Sequence, residues 1–262
     1  MENWKNFETE CYNFLCEKFS NFAKFQKLGS SNSTVSDILV TTNNKEFFVE
    51  VKHLPAQCGQ FVLLPDIKNK LFEYSSKNII KVNEYSQEII KHMNNNFEEF
   101  KNAGTSGKTI IFENSENVFS KWIINYYKGK NVKFFIINNL KLLHIEKINK
   151  YFNITAKYRV KRSGSSGVSQ KMLKPLSEYI TKSFSISKSE IISNKLFAIS
   201  DTDLNNFKFI FENQEYMFSL KTKNTYEIRK LSNTYNANVI FSIKLKDYVD
   251  DVSDEEFIEE LK

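Results

Sequence analysis

Residues 36–53, SDILVTTNNKEFFVEVKH, decide how this chain is interpreted. Two apolar runs flank the polar stretch TTNNK, a pattern typical of a β-hairpin. Charged residues interrupt both runs, because Asp37 opens the first while Glu50 and Lys52 lie within the second. Burying a charge is costly unless something compensates it, so this apolar hairpin needs a reason for carrying three.

The two predicted strands, 37–41 and 46–52, bring these charges together. Successive side chains of a strand alternate between its faces, so Glu50 and Lys52 share one face. In an antiparallel hairpin closed by TTNNK, Asp37 lies opposite roughly position 50, with the two Cβ atoms about 5 Å apart. Two carboxylates at this separation raise each other's pKa unless a cation lies between them.

A divalent metal ion answers this repulsion. Mg²⁺ binds oxygen and typically takes one or two carboxylates together with phosphate oxygens of a substrate. Lys52 can hold or help to deprotonate an attacking water, or stabilise charge on a phosphoryl group. The hairpin therefore indicates phosphodiester chemistry. The alternative is that Glu50 and Lys52 form an exposed ion pair on a solvated sheet edge, worth about 0.2–1 kcal/mol.

The spacing of these residues resembles the motif of the PD-(D/E)xK nuclease superfamily. The motif here is Asp37, a spacer of twelve residues, and Glu50-Val51-Lys52, with Ser36 in place of the family's leading proline. The resemblance implies a restriction-endonuclease-like α/β fold, a mixed β-sheet core flanked by helices. It implies that Asp37, Glu50 and Val51 belong to the metal site and that Lys52 is the catalytic lysine. The implied cofactor is Mg²⁺, with Mn²⁺ as a substitute.

Nucleases of this superfamily often add a glutamate from the helix before the hairpin. Residues 4–25 predict such a helix, because apolar residues recur there at three- and four-residue spacing. The candidates are Glu8, Glu10 and Glu17, and Glu10 is favoured because it lies at the edge of the apolar stripe.

The segment after Lys52, HLPAQCGQF, adds polar side chains beside the predicted site. The amides of Gln57 and Gln60 are suited to holding phosphates or the attacking water, and Gln60 is predicted to be a catalytic-site residue. His53 is either a site residue or a partly buried histidine with satisfied hydrogen bonds.

Helices and strands alternate in the following residues. Helical stretches are predicted around 66–80 and 83–101, and a further helix is predicted over SENVFSKWIINYYKGK. Short strands are predicted over KTIIFE and VKFFIIN. This order indicates a mixed sheet with helices packed on it.

Charge separates the chain into a basic body and an acidic end. Lys and Arg number 37 against 31 Asp and Glu, yet the last sixteen residues hold eight of the acids and one lysine. The remaining chain is therefore strongly basic and suited to a polyanion such as DNA. A lysine-rich surface that keeps the protein in solution is the alternative.

Two segments of the second half are candidate DNA-binding elements. YRVKRSGSSGVS combines strand-like alternation with a flexible tip, which suits a phosphate backbone and guanine edges; a mobile solvated loop is the alternative. TYEIRKLSNTYNANV offers arginine and asparagine, which suit guanine and adenine, although asparagines are also turn formers. The predicted DNA-binding residues are Arg159, Lys161, Arg162, Ser163, Ser165, Arg229, Lys230, Asn233 and Asn236.

These patterns predict three parts of the chain. Residues 1–150 form the nuclease core, residues 151–246 form a basic C-terminal α+β target-recognition segment packed on it, and residues 247–262 form an acidic tail that is a short solvated helix or a frayed end. In the middle part, FKFIFENQEYMFSLKT predicts a hairpin and ANVIFSIKLKD predicts a late strand.

This organisation resembles a Type II restriction endonuclease, which implies Mg²⁺-dependent, sequence-specific hydrolysis of double-stranded DNA. Cutting both strands of a palindrome favours a homodimer. Two alternatives stay open: a structure-selective or repair nuclease, and a non-catalytic DNA-binding protein with a decayed nuclease core. GTSGKT lacks the spacing of a phosphate-cradling loop, so no nucleotide cofactor is expected.

The remaining features indicate a prokaryotic cytoplasmic protein. No run of about 18 apolar residues predicts a membrane span. The start, MENWKNFETE, has no apolar segment of a signal peptide. The three cysteines, Cys11, Cys16 and Cys58, show no metal-like spacing and indicate reduced thiols.

Overall fold

The computed structural model describes residues 3–28, 36–162, 164–232, 235–247 and 254–262. Its α-helices are α1 (Asn3–Phe19), α2 (Glu84–Asn95), α3 (Phe97–Phe100), α4 (Ser115–Lys128), α5 (Ile148–Tyr151), α6 (Gln170–Ser183) and α7 (Glu255–Leu261). Its strands are β1 (Lys24–Lys27), β2 (Ile38–Thr41), β3 (Glu46–Lys52), β4 (Ala56–Asp66), β5 (Leu71–Tyr74), β6 (Lys108–Ile110), β7 (Val132–Ile137), β8 (Lys141–His144), β9 (Phe152–Arg162), β10 (Ser165–Ser166), β11 (Lys188–Ile192), β12 (Lys195–Ile199), β13 (Lys208–Phe211), β14 (Gln214–Thr222), β15 (Thr225–Leu231) and β16 (Tyr235–Leu245).

The chain divides into two compact units, and the strands form three mixed or antiparallel sheets. Met1–Val160 and Ala237–Lys262 make the first unit, and Lys161–Asn236 make the second. The first unit contains a sheet of order β1-β2-β3-β7-β8 and a sheet of order β5-β4-β16-β9-β6. The second contains β11-β12-β15-β14-β13, with β10 paired to β15. The mixed α/β architecture predicted from the sequence is confirmed.

The first sheet carries the predicted hairpin. β2 and β3 are antiparallel, with Ile38 opposite Val49 and Thr41 opposite Glu46. β3 then pairs in parallel with β7, so β3 is an interior strand rather than an edge. Val49 is fully buried against residues of α1. The apolar character of FFVEV follows from this burial on an interior strand.

A second core lies between α2, α4 and the sheet that contains β4 and β16. Trp122 of α4 is buried and stacks on Phe241 of β16, with ring centroids 4.2 Å apart. Phe61 of β4 lies 5.5 Å from the Trp122 ring. The close packing of these aromatic rings fixes α4 against β4, the strand that follows the hairpin.

In the second unit, α6 packs on one face of its sheet. The apolar residues of this helix, Leu173, Leu176 and Ile180, recur at three- and four-residue spacing and are buried with Phe218. The predicted hairpin is present as β13 and β14. Its turn residues Glu212 and Asn213 have φ of 46° and 62°, the left-handed conformation that a tight two-residue hairpin requires.

The helix predicted around 66–80 is wrong, because this segment forms the turn and second strand of a β4–β5 hairpin. The carboxylate of Asp66 accepts hydrogen bonds from the backbone N–H groups of Lys68 and Asn69, which closes the turn. Beyond it, Phe72 is buried between exposed neighbours, the alternation of a strand. The helix predicted over 83–101 is present as α2 and α3.

The boundaries of the two units differ from the expected 150 and 246. The strand β9 begins at Phe152 and belongs to the core as far as Val160, and β16 enters the same sheet between β4 and β9. The basic segment is therefore an insertion between two neighbouring strands of one sheet. Within it, α6 was not predicted, because glycines, serines and Pro175 mask its apolar spacing.

The described part of the acidic end, residues 254–262, packs on the core of the first sheet through α7 rather than standing in solvent. Phe257 of α7 is buried, and its ring lies 5.0 Å from that of Phe134 and 5.0 Å from that of Phe19. The carboxylate of Glu260 binds the ammonium groups of Lys45 at 2.6 Å and Lys133 at 2.7 Å. Glu260 therefore pairs with two lysines of the first unit while Phe257 and Leu261 fill the core.

None of the helices described here is long and apolar enough to cross a membrane.

We expect Gly59→Ala to lower the free energy of unfolding by about 1–3 kcal/mol. Gly59 in β4 has φ of +93°, and an added Cβ would lie 2.9 Å from the Trp122 ring. Thermal unfolding measures the effect. Gly104→Ala is the matched control, because its Cβ would meet no atom within 4 Å. Equal melting temperatures for the two variants would contradict the packing of β4 against α4.

Candidate active site

Asp37 and Glu50 face each other at the open end of the β2–β3 hairpin. The register that pairs Ile38 with Val49 places position 37 opposite position 50. Asp37 is fixed there because its Oδ2 accepts a hydrogen bond of 2.8 Å from the backbone N–H of Val51. The hairpin geometry thus brings the two acids of the motif to one place.

Lys52 completes this group through an ion pair with Glu50. Its Nζ lies 2.8 Å from Glu50 Oε1, and the two side chains are only 13% and 14% exposed. A pair this shielded does not match the alternative of a solvated surface ion pair. Glu50 and Lys52 form one pair on the same face of β3, as the alternation of the strand predicts.

Burial and a neighbouring carboxylate disfavour the charged form of Asp37. Burial and the nearby carboxylate of Glu50 raise the pKa of Asp37 from 3.8 to about 7. The Val51 N–H and the Lys52 ammonium oppose this rise without cancelling it, and the carboxylate of Glu8 adds to it. Asp37 is therefore held in an environment that disfavours its charged form unless a further positive charge is supplied.

Lys52 retains its proton in this environment. Burial by itself lowers the pKa of Lys52, but the charge of Glu50, the hydrogen bond to it and the charge of Asp37 act in the opposite direction. The net result is a pKa above the usual value. Lys52 is thus a fixed positive charge and hydrogen-bond donor. These properties suit the stabilisation of phosphoryl charge better than the deprotonation of a water.

The donor set fits a hard divalent cation. Asp37 and Glu50 offer carboxylate oxygens, and burial together with the charge of Glu50 raises the pKa of Asp37 to about 7, so a cation placed between them would favour the ionised form. Within the described ranges no group of three or more His, Cys, Asp or Glu is close enough to form a closed metal cage. Mg²⁺ suits such an open site, because it uses one or two carboxylates and fills its other positions with water and phosphate oxygens.

Tyr127 and Cys58 surround the Glu50–Lys52 pair, and neither was identified from the sequence as a site residue. The Tyr127 hydroxyl donates a hydrogen bond of 3.4 Å to Glu50 Oε1, and the Lys52 Nζ lies 5.4 Å from the centre of the Tyr127 ring. The fully buried Cys58 forms a side-chain hydrogen bond with Tyr127. Burial raises the pKa of Tyr127 well above its usual value, so the phenol keeps its proton.

A cavity of about 420 Å³ opens beside Glu50 and Lys52. Its wall includes the amides of Gln57 and Gln60, which are hydrogen-bonded to each other at 3.2 Å. Further along, the wall has aromatic rings of α4 and the side chains of Lys77 and Lys130. A cavity lined by lysines and amides beside the Glu50 carboxylate is suited to a phosphate-containing ligand.

One solved structure matches the chain over nearly its whole length. It is that of HhaI endonuclease in complex with DNA, which is 38% identical in sequence, with a TM-score of 0.74 and 98% of each chain covered.

This chain belongs to the restriction endonuclease family of HhaI. The superfamily resemblance drawn from Asp37, Glu50 and Lys52 is thereby confirmed. No protein-family model and no curated protein matches the chain.

Of the three candidate helix glutamates, Glu8 has an electrostatic contact with Asp37, and the role of Glu10 in the site stays a prediction. Glu8 contributes to the raised pKa of Asp37 and lies 3.7 Å from the ammonium group of Lys27. Glu10 is exposed on α1, in an open groove with Glu17. The spacing of apolar residues in α1 does not show which of its glutamates lies nearest the hairpin.

His53 lies at the border of this nuclease site. It is exposed, and its ring makes an edge contact with that of Phe7 at 5.2 Å. Gln60, in contrast, lines the same cavity as Glu50 and Lys52. Val51 directs its N–H to Asp37, and its side chain packs with the apolar residues on the other face of β3.

The predicted DNA-binding residues fall in different environments. Arg159 lies half-buried on β9, whereas Lys161 and Asn236 are exposed and Lys230 and Ser165 are half-buried. Ser163, Asn233 and the side chain of Arg162 lie outside the described residues.

Arg229 differs from the other candidates because internal contacts engage its guanidinium group. Its Nη1 lies 2.7 Å from Oε1 of the buried Glu227, its Nε donates to Ser165 Oγ and its Nη2 donates to the Ser165 carbonyl. These bonds hold β10 against β15. Arg229 therefore has a structural role within its own unit, and its contact with DNA stays a prediction.

Without metal, Asp37→Asn should be more stable than the wild type near neutral pH. The folded state holds the Asp37 proton up to about pH 7, whereas the unfolded chain loses it near 3.8, so wild-type stability falls as the pH rises between these values. Asn removes this titration and keeps an acceptor for the Val51 N–H. The advantage should grow across this range to about 1–4 kcal/mol and then level off.

Thermal unfolding in EDTA at several pH values measures this effect. Glu73→Gln, which changes an exposed carboxylate on β5, is the control and should show no comparable gain. If Asp37→Asn and the wild type melt together near pH 8, the repulsion between Asp37 and Glu50 is refuted.

Proposed function

We propose that this chain is a Mg²⁺-dependent, sequence-specific endonuclease of double-stranded DNA, a Type II restriction enzyme that hydrolyses phosphodiester bonds. The observation that carries the proposal is the pairing of Asp37 with Glu50 across the hairpin, with Lys52 beside them, in a member of the HhaI family. HhaI endonuclease itself has been seen in complex with DNA, which supports the same class of substrate here.

Asp37 and Glu50 are the proposed metal ligands. Val51, which follows Glu50 on β3, is also proposed for the metal site, and Glu8 of α1 is a further candidate. A bound Mg²⁺ ion, for which Mn²⁺ can substitute, supplies Lewis-acid polarisation of the phosphodiester and lowers the pKa of a coordinated water. The chain itself holds two carboxylates close together, and binding of a metal ion offsets the repulsion between them. The Val51 N–H keeps Asp37 in place throughout.

Lys52 is proposed as the catalytic lysine that stabilises the transition state. Its ammonium group is fixed by Glu50 and keeps its proton, so it offers positive charge to the phosphoryl oxygens as negative charge develops on them. Gln60 is proposed to orient the phosphate or the attacking water, because its amide lies in the same cavity and is itself positioned by Gln57.

Recognition of the target is proposed for the basic segment and the strands next to it. Arg159, Lys161, Lys230 and Asn236 are the described candidates, with Arg162, Ser163 and Asn233 predicted from the sequence alone. Arginine and asparagine suit base edges, and lysine suits phosphates. The proposed setting is the cytoplasm of a prokaryotic cell, in keeping with a restriction role.

With Mg²⁺, the purified protein should cut long duplex DNA into discrete fragments, and Lys52→Ala should slow cleavage on the order of 10²-fold or more. The reason is the loss of the fixed positive charge, which leaves binding to DNA intact. Cleavage is followed by gel electrophoresis, and binding by fluorescence anisotropy with Ca²⁺ in place of Mg²⁺. Lys68→Ala, an exposed lysine in the β4–β5 turn, is the matched control and should cut at the wild-type rate.

Other outcomes of this experiment identify other functions. Preferential cutting of branched over linear duplexes would show a structure-selective nuclease. Salt-sensitive binding without cleavage in Mg²⁺ or Mn²⁺ would show a DNA-binding protein. Either result contradicts the proposal.

A homodimer is expected to cut both strands of a site in one binding event, because each chain carries a single Asp37–Glu50–Lys52 group. Sedimentation with target DNA should then give twice the 30.8 kDa chain mass in protein, and supercoiled plasmid should become linear with little nicked circle. A single chain per site with accumulating nicked circle would refute the dimer and leave the endonuclease intact.

A further inference from the structure

Tyr127 is buried beside the Glu50–Lys52 pair although it lies far from the motif in sequence. It occupies the last turn of α4, and its ring packs edge-on against Phe135 of β7 with centroids 4.8 Å apart. Phe135 is the residue that pairs with Glu50 across the parallel strands. The strand neighbour of the carboxylate thus fixes the ring whose hydroxyl reaches it.

The hydrogen bonds around Glu50 have only one consistent direction. An ionised carboxylate accepts and cannot donate, so both Lys52 Nζ and Tyr127 Oη donate to Oε1, at 2.8 Å and 3.4 Å. The Tyr127 hydroxyl also interacts with the Cys58 side chain, and this interaction favours the protonated phenol. Cys58, Tyr127 and Glu50 are thus neighbours in one buried polar group.

This arrangement assigns different tasks to the two oxygens of Glu50. Oε1 receives both donors, and across the described residues no hydrogen bond reaches Oε2. The Glu50 side chain is therefore held through Oε1, and Oε2 is left available to bind a cation. A carboxylate fixed in this way loses less conformational freedom when it binds a cation.

We propose that Tyr127 is a positioning residue that fixes Glu50 in its ion-binding orientation and keeps Lys52 beside it. Cys58, which interacts with Tyr127, assists in this role. The ring serves Lys52, since the ammonium group lies over its face, and the hydroxyl serves Glu50. The inference deepens the proposed function and rests on it, because it takes Glu50 to be a metal ligand.

Tyr127→Phe tests the role of the hydroxyl while keeping the ring. The variant should bind Mn²⁺ roughly tenfold more weakly, and the Mg²⁺ concentration for half-maximal cleavage should rise by a similar factor, the range found for residues that orient metal ligands. Free Mn²⁺ is measured by electron paramagnetic resonance, and the cleavage rate under single-turnover conditions. Affinity for duplex DNA without metal should stay within about twofold of wild type. Cys58→Ala should shift both readouts in the same direction by less.

Tyr158→Phe is the matched control for the loss of a buried hydroxyl. The Tyr158 hydroxyl donates to the Leu63 carbonyl at 3.0 Å, so its removal should lower the melting temperature without changing Mn²⁺ affinity. If Tyr127→Phe only lowers the melting temperature, as this control does, the positioning role is refuted. A wild type that binds Mn²⁺ but cuts no DNA refutes the proposed function alone. A wild type that binds no Mn²⁺ refutes both.

Discussion

The repulsion between Asp37 and Glu50 is the constraint on which the rest of the site depends. The hairpin register sets these carboxylates opposite each other where water is largely excluded, and this raises the pKa of Asp37 to about 7. An apolar pair at the same positions would stabilise the sheet more, since buried like charges cost free energy. In the proposed function, a divalent cation bound between the two carboxylates relieves this repulsion.

The fold holds this unfavourable pair in place from several sides. Parallel pairing with β7 makes β3 an interior strand, so the carboxylates cannot move apart by fraying of an edge. On one side α4 brings Tyr127 to Glu50, and on the other α1 and α7 bury the apolar face of the hairpin. The ion pairs of Glu260 with Lys45 and Lys133 make the acidic end of the chain part of this support.

Charge serves different purposes in the two units. In Lys161–Asn236, the buried Glu227 binds both Arg229 and Lys221, so part of the basic character of this segment compensates an internal acid. In the first unit, Lys77 and Lys130 line the cavity that leads to Glu50 and Lys52. Net basic charge alone therefore identifies a polyanion-binding protein only in outline, and the partner of each cation has to be known before it is assigned to DNA.

The sequence by itself determined the hairpin, its register and the grouping of Asp37, Glu50 and Lys52, because strand alternation and turn closure are local rules that need no distant residue. It also indicated α2, α4 and β7, whose patterns are long or strongly apolar. Tertiary structure alone decided that residues 66–74 form a hairpin, that β16 returns to the sheet of β4, and that α7 is buried. It alone placed Glu8 in electrostatic contact with Asp37 and brought Tyr127 to Glu50. Each of these features depends on which surface a segment packs against. Contacts between residues far apart in the chain decide this, and the spacing of apolar residues within a short segment does not report such contacts.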